Sequence, residues 1–295
     1  MKGNVIVKIH GGLGNQLFQY ALGRCIQLTQ NVPVAFDVSW YTKTSNEIKR
    51  KYELDNFQTQ VTPANPDAVK VLERFQRKPG LIGYVKSLFT ADTKRYAQDF
   101  GFAFNPSILQ LQPPAYLDGY WQSEKYFSAI ADTIRKELTL RNSATGKNAE
   151  ALRAIQNVPT ISIHVRRGDY VASKQTNAFH GTASVEYYQT AIRKLQKIEP
   201  NATIYVFSDD QAWVKANLSF ELSTVFVDWN SSDQAHEDLR LMAACRHNVI
   251  ANSTFSWWGA WLGTHPEKHV IAPKRWFANR NIDTRDIIPD HWEKL

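Results

Sequence analysis

The sequence has few cysteines and no hydrophobic run long enough to cross a membrane. The two cysteines, Cys25 and Cys245, lie in apolar, helix-like surroundings, where a buried reduced thiol is the usual state. The first residues lead into a short strand-like run and lack the long apolar segment of a signal peptide. These features predict a cytoplasmic protein without a transmembrane segment and leave peripheral contact with a membrane open.

The sequence also lacks blocks of like charge and repetitive tracts, and 43% of its 295 residues are hydrophobic. Such a chain folds, and its length suits two domains with separate cores. Lys plus Arg number 35 and Asp plus Glu 28, which gives a net charge of +7. This excess suits an anionic ligand and leaves nucleic acid, a phosphorylated sugar and an acidic membrane open. The basic residues are scattered, which argues against a nucleic-acid surface.

Strand patterns alternate with helix patterns at both ends of the chain, around a less regular region at 52–141 that is rich in aromatic residues and proline. The first segment predicts a strand, a glycine-rich turn, a helix and a second strand. The later strands are predicted at 160–165, 203–208, 224–227, 248–251 and 269–272. Strands alternating with helices indicate right-handed βαβ units and a doubly wound parallel sheet. We place one domain at 1–155 and a second at 156–295.

Two arginines follow the predicted strand 160–165. Arg166 and Arg167 come directly after it, and His164 lies within it. Ligands of doubly wound sheets bind beyond the carboxyl ends of the strands. Two adjacent guanidiniums there suit a diphosphate, because each can bind two phosphate oxygens. The alternative is a surface ion pair with Asp169.

Hydroxyl residues follow the predicted strand 248–251, at the start of a predicted helix. This segment reads Asn252-Ser253-Thr254-Phe255-Ser256. Free N–H groups and hydroxyls at a helix N-terminus form a ready anion site. Alternatively, Ser253 or Thr254 only caps the helix, and the two interpretations are compatible.

Adjacent carboxylates follow a third predicted strand. Asp209 and Asp210 come after 203–208, and Glu237-Asp238 lies further along the chain. One adjacent pair offers too few oxygens for a metal ion, so we predict none. A carboxylate can accept hydrogen bonds from the N1–H and amino group of guanine. Helix capping is the alternative for either Asp209 or Asp210.

The glycine-rich turn contains Gly11, Gly12 and Gly14. It resembles a loop that approaches phosphate, but its spacing is neither that of a P-loop nor that of the dinucleotide-binding fingerprint. The alternative is a turn that needs a positive φ angle.

Four segments in this order resemble the α-1,2-fucosyltransferase family, over nearly the whole chain: Gly11-Gly12-Leu13-Gly14-Asn15-Gln16-Leu17-Phe18-Gln19-Tyr20, His164-Val165-Arg166-Arg167-Gly168-Asp169-Tyr170, Phe207-Ser208-Asp209-Asp210 and Asn252-Ser253-Thr254-Phe255-Ser256-Trp257-Trp258-Gly259-Ala260-Trp261-Leu262. The resemblance implies an α/β fold of GT-B type, with two Rossmann-like domains whose parallel sheets face across a cleft. The C-terminal domain would hold GDP-fucose and the N-terminal domain the acceptor. Transfer would invert the anomeric carbon, with no metal and no cofactor beyond the co-substrate.

The resemblance also implies roles for individual residues. Arg166 would grip the pyrophosphate, and His164 and Asp238 would lie near guanine. The other expected donor-binding residues are Arg167, Asn252, Ser253, Thr254, Phe255, Ser256, Gly12, Gly14 and Asn15.

The catalytic base is left open by the resemblance. The related α-1,6 enzymes have a glutamate after the two arginines, whereas this chain has Val-Ala-Ser-Lys at 171–174. Asp169 is the leading candidate, with a salt bridge to Arg166 or Arg167 as its alternative role. Arg166 would stabilise the leaving group, and Asn15 would hydrogen-bond the fucose or the acceptor.

The function implied is transfer of L-fucose from GDP-fucose to the 2-hydroxyl of a terminal galactose in a glycan. The alternatives are a fucosyltransferase that forms another linkage and a non-catalytic protein that binds sugar or nucleotide. Transfer or hydrolysis of labelled GDP-fucose separates an enzyme from a binding protein.

Overall fold

The computed structural model describes residues 3–42, 50–76, 95–99, 101–168 and 178–295. The chain divides into two compact units. The first unit comprises Met1–Thr139 and Thr284–Ile287, and the second Leu140–Asp283 and Ile288–Leu295. The division therefore falls before the position at 155/156 that the sequence suggested. The reason is that the helix Gly146–Asn157 packs in the second unit, where its Asn148 hydrogen-bonds Asn230.

The first unit is built on a sheet of four parallel strands. The strands are β1 (Val5–Lys8), β2 (Val34–Asp37), β3 (Tyr96–Gln98) and β4 (Ala115–Asp118). Their order is β2-β1-β4-β3. The helices of this unit are α1 (Leu13–Gln30), α2 (Pro66–Glu73) and α3 (Ala131–Glu137). Strands β3 and β4 lie in the region that looked irregular in the sequence.

Helix α1 begins directly after the glycine-rich turn and ends where Asn31 adopts the left-handed conformation. Its first half is buried on nearly every side, because it packs against β1 and β2 of the sheet. The buried, apolar character of Val5, Ile6 and Val7 is typical of a parallel strand covered on both faces.

The second unit is built on a sheet of six parallel strands. These are β5 (Thr160–Val165), β6 (Thr203–Ser208), β7 (Thr224–Val227), β8 (His247–Val249), β9 (Val270–Ala272) and β10 (Glu293–Lys294). Their order is β10-β9-β8-β5-β6-β7. The chain thus builds outward from β5 in one direction and then from β8 in the other. The topological switch point lies between β5 and β8.

Helices follow or precede most strands of the second unit in the part of the chain that the structure describes. They are α4 (Gly146–Asn157), α5 (Val185–Gln196), α6 (Gln211–Asn217), α7 (Ala235–Ala244) and α8 (Thr254–Leu262). The predicted alternation of strands and helices, and with it the α/β fold class, is confirmed. The strand predicted at 248–251 is observed at His247–Val249, and β10 was not predicted because two residues carry no periodic pattern.

Helix α8 packs closely on α7. A Cβ atom at Gly259 would lie 2.9 Å from the Cβ of Met242, so glycine permits the close approach. Trp257, Trp258 and Trp261 are buried. Their helical spacing therefore serves packing, as expected for a helix that is buried on most of its faces. No helix in the described residues is both long and apolar enough to span a membrane.

Candidate functional site

The residues singled out after β5, β6 and β8 lie at one edge of the second sheet. Strand β5 pairs with β6 on one side and with β8 on the other, and all three strands run parallel. Their carboxyl ends therefore share an edge. Arg166, Asp209 and Asn252 follow these ends directly or within three residues. This edge at the switch point is where doubly wound sheets bind ligands.

Arg166 is held by a carboxylate from the neighbouring strand. Its Nη1 atom lies 3.1 Å from Oδ2 of Asp209, and both side chains remain partly exposed to solvent. The other oxygen of Asp209 accepts a hydrogen bond of 2.9 Å from the backbone N–H of Arg167. Asp209 thus orients the segment that carries both arginines. Asp169, the partner suggested by the sequence, lies outside the described residues.

Arg167 has different surroundings. Its guanidinium carbon lies 3.8 Å from the centre of the Trp213 ring, and its Nε atom lies 3.7 Å from Oδ2 of Asp210. Asp210 itself caps α6 by accepting the N–H of Trp213 at 3.1 Å. The capping interpretation of Asp210 is confirmed. The cation–π contact and the ion pair direct Arg167 toward α6, and its contact with the donor stays a prediction.

The start of α8 offers free N–H groups. Ser253 occupies the N-cap position with an extended backbone, but its side chain makes no capping hydrogen bond. The first intrahelical bond runs from Trp257 N–H to the Ser253 carbonyl. Within the described chain, the amides of Thr254 to Ser256 accordingly have no capping side chain, and no acidic residue lies in the first turn. Such a terminus attracts an anion.

The hydroxyl of Ser256 is used inside the protein. It is fully buried and donates to the Ser253 carbonyl at 3.2 Å. If Ser256 meets the donor, as predicted, its backbone N–H is the group that remains for that contact.

His164, near the end of β5, contacts Phe255 at the start of α8. Its ring centre lies 5.5 Å from that of Phe255. The side chain is buried, and its Nδ1 atom has no hydrogen-bond partner in the described part of the chain. The pKa of His164 is lowered from 6.5 to about 4, chiefly by burial; Asp209 acts to raise this pKa, and Arg166 acts to lower it. His164 is therefore a neutral imidazole at pH 7, and its Nδ1 atom is buried without a partner among the described residues.

The lowered pKa of His164 predicts a loss of stability in mild acid. Between pH 6.5 and about pH 4, this histidine is protonated in the unfolded chain but stays neutral in the folded protein. Its contribution to the free energy of unfolding is therefore fully present above pH 6.5 and decreases as the pH falls through this range. We expect this group to reduce the free energy of unfolding by about 2 kcal/mol between pH 7.5 and pH 5. Urea unfolding at both pH values should show that the free energy of unfolding decreases less in His164→Gln than in the wild type. The exposed His291→Gln control should leave the loss unchanged, and an equal loss in all three proteins would contradict the assignment.

Asn252 has a structural use that the sequence did not indicate. Its Nδ2 atom donates to the carbonyl of His180 at 2.9 Å and to that of Trp276 at 3.1 Å. The amide therefore fastens two loops beside β8. Asn252 lies in the segment after β8 that the sequence assigned to donor binding, and its contact with the donor stays a prediction.

Asp238 lies in the first turn of α7 and belongs to a polar network. It accepts a hydrogen bond of 2.7 Å from Asn230, and Asn230 also bonds to Asn148 of α4. Burial raises the pKa of Asp238 to about 7. A carboxyl group in this state gains from any ligand that donates hydrogen bonds to it. Its predicted place near guanine stays a prediction.

Gly12, Gly14 and Asn15 belong to the first unit. Gly11 has a φ angle of +81°, which confirms that the turn needs glycine. Gly12 is the N-cap of α1, and Gly14 is buried inside that helix. The side-chain oxygen of Asn15 accepts a hydrogen bond of 3.0 Å from Gln122.

Sequence reasoning missed a second group of residues, at the carboxyl ends of β1 and β4. His10 follows β1, and its Nε2 atom lies 3.7 Å from Oδ1 of Asp118 at the end of β4. Its ring centre lies 4.7 Å from that of Tyr120. The sequence did contain a signal for His10, because His10 comes after the predicted first strand just as Arg166 comes after β5. No group of three potential metal ligands occurs among the residues that the structure describes.

The sequence matches the model of Glycosyl transferase family 11 over residues 87–295. It is also 31% identical to the O-antigen biosynthesis glycosyltransferase WbnK of Escherichia coli, over 97% of this chain and 99% of that protein. The chain belongs to glycosyl transferase family 11. It is thus a glycosyltransferase, and the resemblance seen in its motifs is confirmed at the level of the family.

Other relatives differ in the sugar that their names specify. An α-1,2-colitosyltransferase of Escherichia coli is 28% identical over 99% of this chain and 98% of its own length. Galactoside 2-α-L-fucosyltransferase SEC1 of Bos taurus is 29% identical over 50% of this chain and 41% of its own length. The structure of an Arabidopsis thaliana FUT1 variant in complex with GDP covers 99% of this chain and 76% of that one, with a TM-score of 0.54 and 11% identity. That similarity shows a shared fold and supports the GT-B-type class.

Proposed function

We propose that this enzyme transfers L-fucose, with inversion, from GDP-β-L-fucose to the 2-hydroxyl of a terminal galactose, without a metal ion. The observation that carries the proposal is the placement of Arg166 and the uncapped start of α8 after the paired strands β5 and β8. The Bos taurus relative is named as a galactoside 2-α-L-fucosyltransferase, and the motifs of this chain resemble that family.

The donor diphosphate would bind between these two groups. Arg166 supplies a planar fork of donors, and Asp209 fixes its orientation through the 3.1 Å ion pair. The N–H groups of Thr254, Phe255 and Ser256 supply donors that point along the α8 axis. Together they would neutralise the diphosphate without a cation, as a guanidinium and a helix terminus can do.

The guanine base would bind near His164 and Asp238. Guanine presents two N–H donors on one edge, and a carboxylate accepts both. Asp238 has one oxygen bonded to Asn230 and a pKa raised to about 7, so donors from guanine would favour its ionised form. The Nδ1 atom of His164, which has no partner among the described residues, offers a further polar contact in a buried setting.

Catalysis would depend on stabilising the leaving group. Negative charge grows on GDP as the bond to C1 of fucose breaks, and preorganised donors at such a site contribute about 3 kcal/mol each. Arg166 and the α8 terminus would fill this role. Asp169 stays our sequence-based candidate for the base, and Asn15 for a contact to sugar.

A colitosyl donor is the second candidate, and the Escherichia coli α-1,2-colitosyltransferase favours it. Colitose lacks the 3-hydroxyl of fucose. A site that hydrogen-bonds this hydroxyl rejects the deoxy sugar strongly, whereas a site that accepts colitose gains little from the hydroxyl. Competition between GDP-fucose and GDP-colitose for one acceptor measures this ratio directly.

The test of the proposal is an incubation of purified enzyme with GDP-fucose and a panel of galactosides, in excess EDTA. We expect a fucosylated product with an α-1,2 linkage, established by NMR, at the same rate as without chelator. A product with another linkage, or hydrolysis of the donor without transfer, would contradict the proposed formation of an α-1,2 linkage. Activity that disappears with EDTA and returns with Mn²⁺ would contradict metal independence.

A further inference from the structure

Two amide side chains of the second unit form a network with Asp238. Asn148 and Asn230, here called the amide pair, bond to each other twice: Asn148 Nδ2 donates to Asn230 Oδ1 at 2.8 Å, and Asn230 Nδ2 donates to Asn148 Oδ1 at 3.0 Å. Asn230 Nδ2 also donates to Oδ1 of Asp238 at 2.7 Å. The three residues lie on α4, on the loop after β7 and on α7, so the network joins three separate parts of this unit.

The amide pair is held in one orientation. The indole N–H of Trp229 donates to Asn148 Oδ1 at 2.8 Å, so that oxygen accepts two hydrogen bonds. Asn148 is only 7% exposed. A flip of the Asn230 amide would break both bonds to Asn148 and place its oxygen against the carboxylate of Asp238. The pair is therefore a fixed donor to one oxygen of Asp238.

The turn between Asn230 and α7 is also fixed. Ser231 and Gln234 form a capping box, in which the N–H of Ser231 donates to Gln234 Oε1 at 3.2 Å and the N–H of Gln234 donates to the Ser231 carbonyl at 2.8 Å. The capping box sets the start of α7, and Asn230 sets the side chain of Asp238 in its first turn. Both the backbone and the carboxyl group of Asp238 are thus preorganised.

The amide pair adds little to stability beyond what apolar side chains would give. Two hydrogen-bonded polar groups can be replaced by apolar groups of the same shape at almost no cost. A satisfied polar network instead specifies one geometry, and the group at the end of this network is a carboxylate. What the pair contributes is the position of Asp238.

The network lies at the edge of the sheet where the diphosphate is expected. Asn230 follows the carboxyl end of β7, and α7 begins at that edge before it returns to the start of β8. Strand β7 is the second strand from β5, so roughly 10 Å separates their carboxyl ends. A nucleoside whose diphosphate lies after β5 and β8 would span this distance with its base.

Asp238 keeps acceptor capacity on both oxygens. Its Oδ2 atom accepts no hydrogen bond from the residues that the structure describes, and it is not sealed from solvent. Each carboxylate oxygen has two lone pairs, so Oδ1 can accept a second hydrogen bond beside that of Asn230. Two such oxygens match the adjacent N1–H and 2-amino donors of guanine.

We propose that Asn230 and Asn148 are positioning residues that make the carboxylate of Asp238 select guanine among the purines. The inference rests on the proposed function, which places the base near Asp238. Asn230 orients the carboxylate through Oδ1, and Asn148 holds Asn230. Guanine then donates two hydrogen bonds, whereas hypoxanthine lacks the amino donor and adenine presents an acceptor at N1. A base without the matching donors leaves an acceptor unpaired, which gives strong discrimination.

The charges around Asp238 make this recognition depend on pH. The pKa of Asp238 is raised to about 7, chiefly by burial; the hydrogen bond from Asn230 acts to lower it, and Glu237 acts to raise it. Glu237 pairs with Arg240 at 3.0 Å, and Nε2 of His236 lies 3.9 Å from its carboxylate. Helix α8, which packs on α7, has no ionisable side chain. The ionisable residues on the first turns of α4 and on the loop before α7 are exposed: Lys147, Glu150, Asp228 and Asp233.

The first test compares GDP with inosine diphosphate, which has the same diphosphate but lacks the 2-amino group. Calorimetric titration at pH 8 should show that the wild type binds GDP about 10- to 100-fold more tightly, the ratio that one lost hydrogen bond to a charged group produces. Asn230→Ala should reduce this ratio by about threefold or more, because the carboxylate is no longer oriented. Equal affinities in the wild type, or an unchanged ratio in a folded Asn230→Ala, would overturn the proposal.

Two further variants complete this test. Asn148→Ala should also reduce the ratio, and it carries the same test if Asn230→Ala does not fold. The matched control is Asn157→Ala, at the other end of α4, where the exposed amide donates to the carbonyl of Arg153. This control should keep the ratio of the wild type. A merely structural amide pair would weaken the binding of both nucleotides equally.

The second test follows the affinity for GDP-fucose between pH 6 and pH 9. GDP-fucose is used because its diphosphate is esterified at both ends, whereas the terminal phosphate of GDP titrates near this range. The ionised carboxylate accepts the two donors, so affinity should be full above pH 8 and about tenfold lower at pH 6. Asn230→Ala removes a bond that lowers the pKa of Asp238, so the decrease should begin at a higher pH. Asp238→Asn should abolish the decrease. An unmoved midpoint in a folded Asn230→Ala would overturn the proposal.

Failure of the donor-site proposal has a different signature. Unchanged GDP affinity in Arg166→Ala would contradict the diphosphate site, whatever the base preference of the Asn230 variant. Full preference for GDP in Asp238→Asn would reject base recognition at Asp238, and with it this inference, but would leave the diphosphate site in place. Loss of the preference in Asp238→Asn with full preference in Asn230→Ala would reject the amide pair alone.

Discussion

Arg166→Ala is expected to reduce transfer far more strongly than it weakens GDP binding. The variant loses the guanidinium fork that would hold the diphosphate, and a hydrogen bond to a charged group contributes about 1.5–3 kcal/mol. The affinity for GDP should therefore fall roughly 10- to 100-fold. Transfer should fall further, to about one thousandth, because the same group would stabilise charge that grows only in the transition state. Calorimetric titration with GDP and a radiolabelled transfer assay measure the two effects separately.

The matched control is Arg193→Ala. Arg193 is an exposed arginine of the same unit, and its guanidinium donates a hydrogen bond to Thr190. The control should keep both GDP affinity and transfer. The GDP affinity and transfer rate of Arg166→Lys should lie between those of the wild type and of Arg166→Ala, since lysine retains the charge but not the bidentate fork. Unchanged GDP affinity in a folded Arg166→Ala would remove the diphosphate role of this residue.

Arg24→Met is expected to destabilise the protein by about 3–5 kcal/mol, the cost of breaking a buried ion pair from one side. Arg24 of α1 forms two hydrogen bonds to Glu137 of α3, from Nε at 2.9 Å and from Nη2 at 2.5 Å. The two side chains are only 10% and 11% exposed. Tyr20 donates a third hydrogen bond to the same carboxylate. Removing the guanidinium leaves a buried carboxylate without its counter-charge, and urea unfolding measures the loss.

A double-mutant cycle isolates the pair. Glu137→Gln removes the charge that Arg24 leaves behind, so the double variant should be more stable than the sum of the two single losses predicts. The difference should exceed about 1 kcal/mol, as expected for groups in direct contact. Additive losses, or a loss below 1 kcal/mol in Arg24→Met, would show that this pair does not hold α1 to α3.

The second sheet could be predicted because its strands are apolar runs separated by amphipathic helices of ordinary length. In strand β5 the apolar residues Ile161, Ile163 and Val165 alternate with polar ones, and helix α5 is buried on one face, so each has a clear periodicity. Strand β3 spans only Tyr96–Gln98 and lies among short turns, so its pattern is too brief to be recognised. Its pairing with β4 is fixed by tertiary contacts, such as the stacking of Tyr96 on Tyr116.

That the candidate donor-binding segments meet could also be predicted, because the carboxyl ends of the parallel strands β5, β6 and β8 share one edge. The partners of individual side chains could not. Arg167 and Asp209 are 42 positions apart, and only the pairing of β5 with β6 brings them together. Asn252 resembles a ligand-binding amide, yet it fastens two loops whose course the sequence does not reveal. His10 was passed over because the glycines beside it drew the interpretation toward phosphate.

The most direct test of the central claim is a crystal structure of the enzyme with GDP bound. The account predicts diphosphate oxygens within about 3 Å of the Arg166 guanidinium and of the backbone N–H groups at Thr254 to Ser256. A diphosphate bound away from the carboxyl ends of β5 and β8, with Arg166 still paired only to protein, would contradict it.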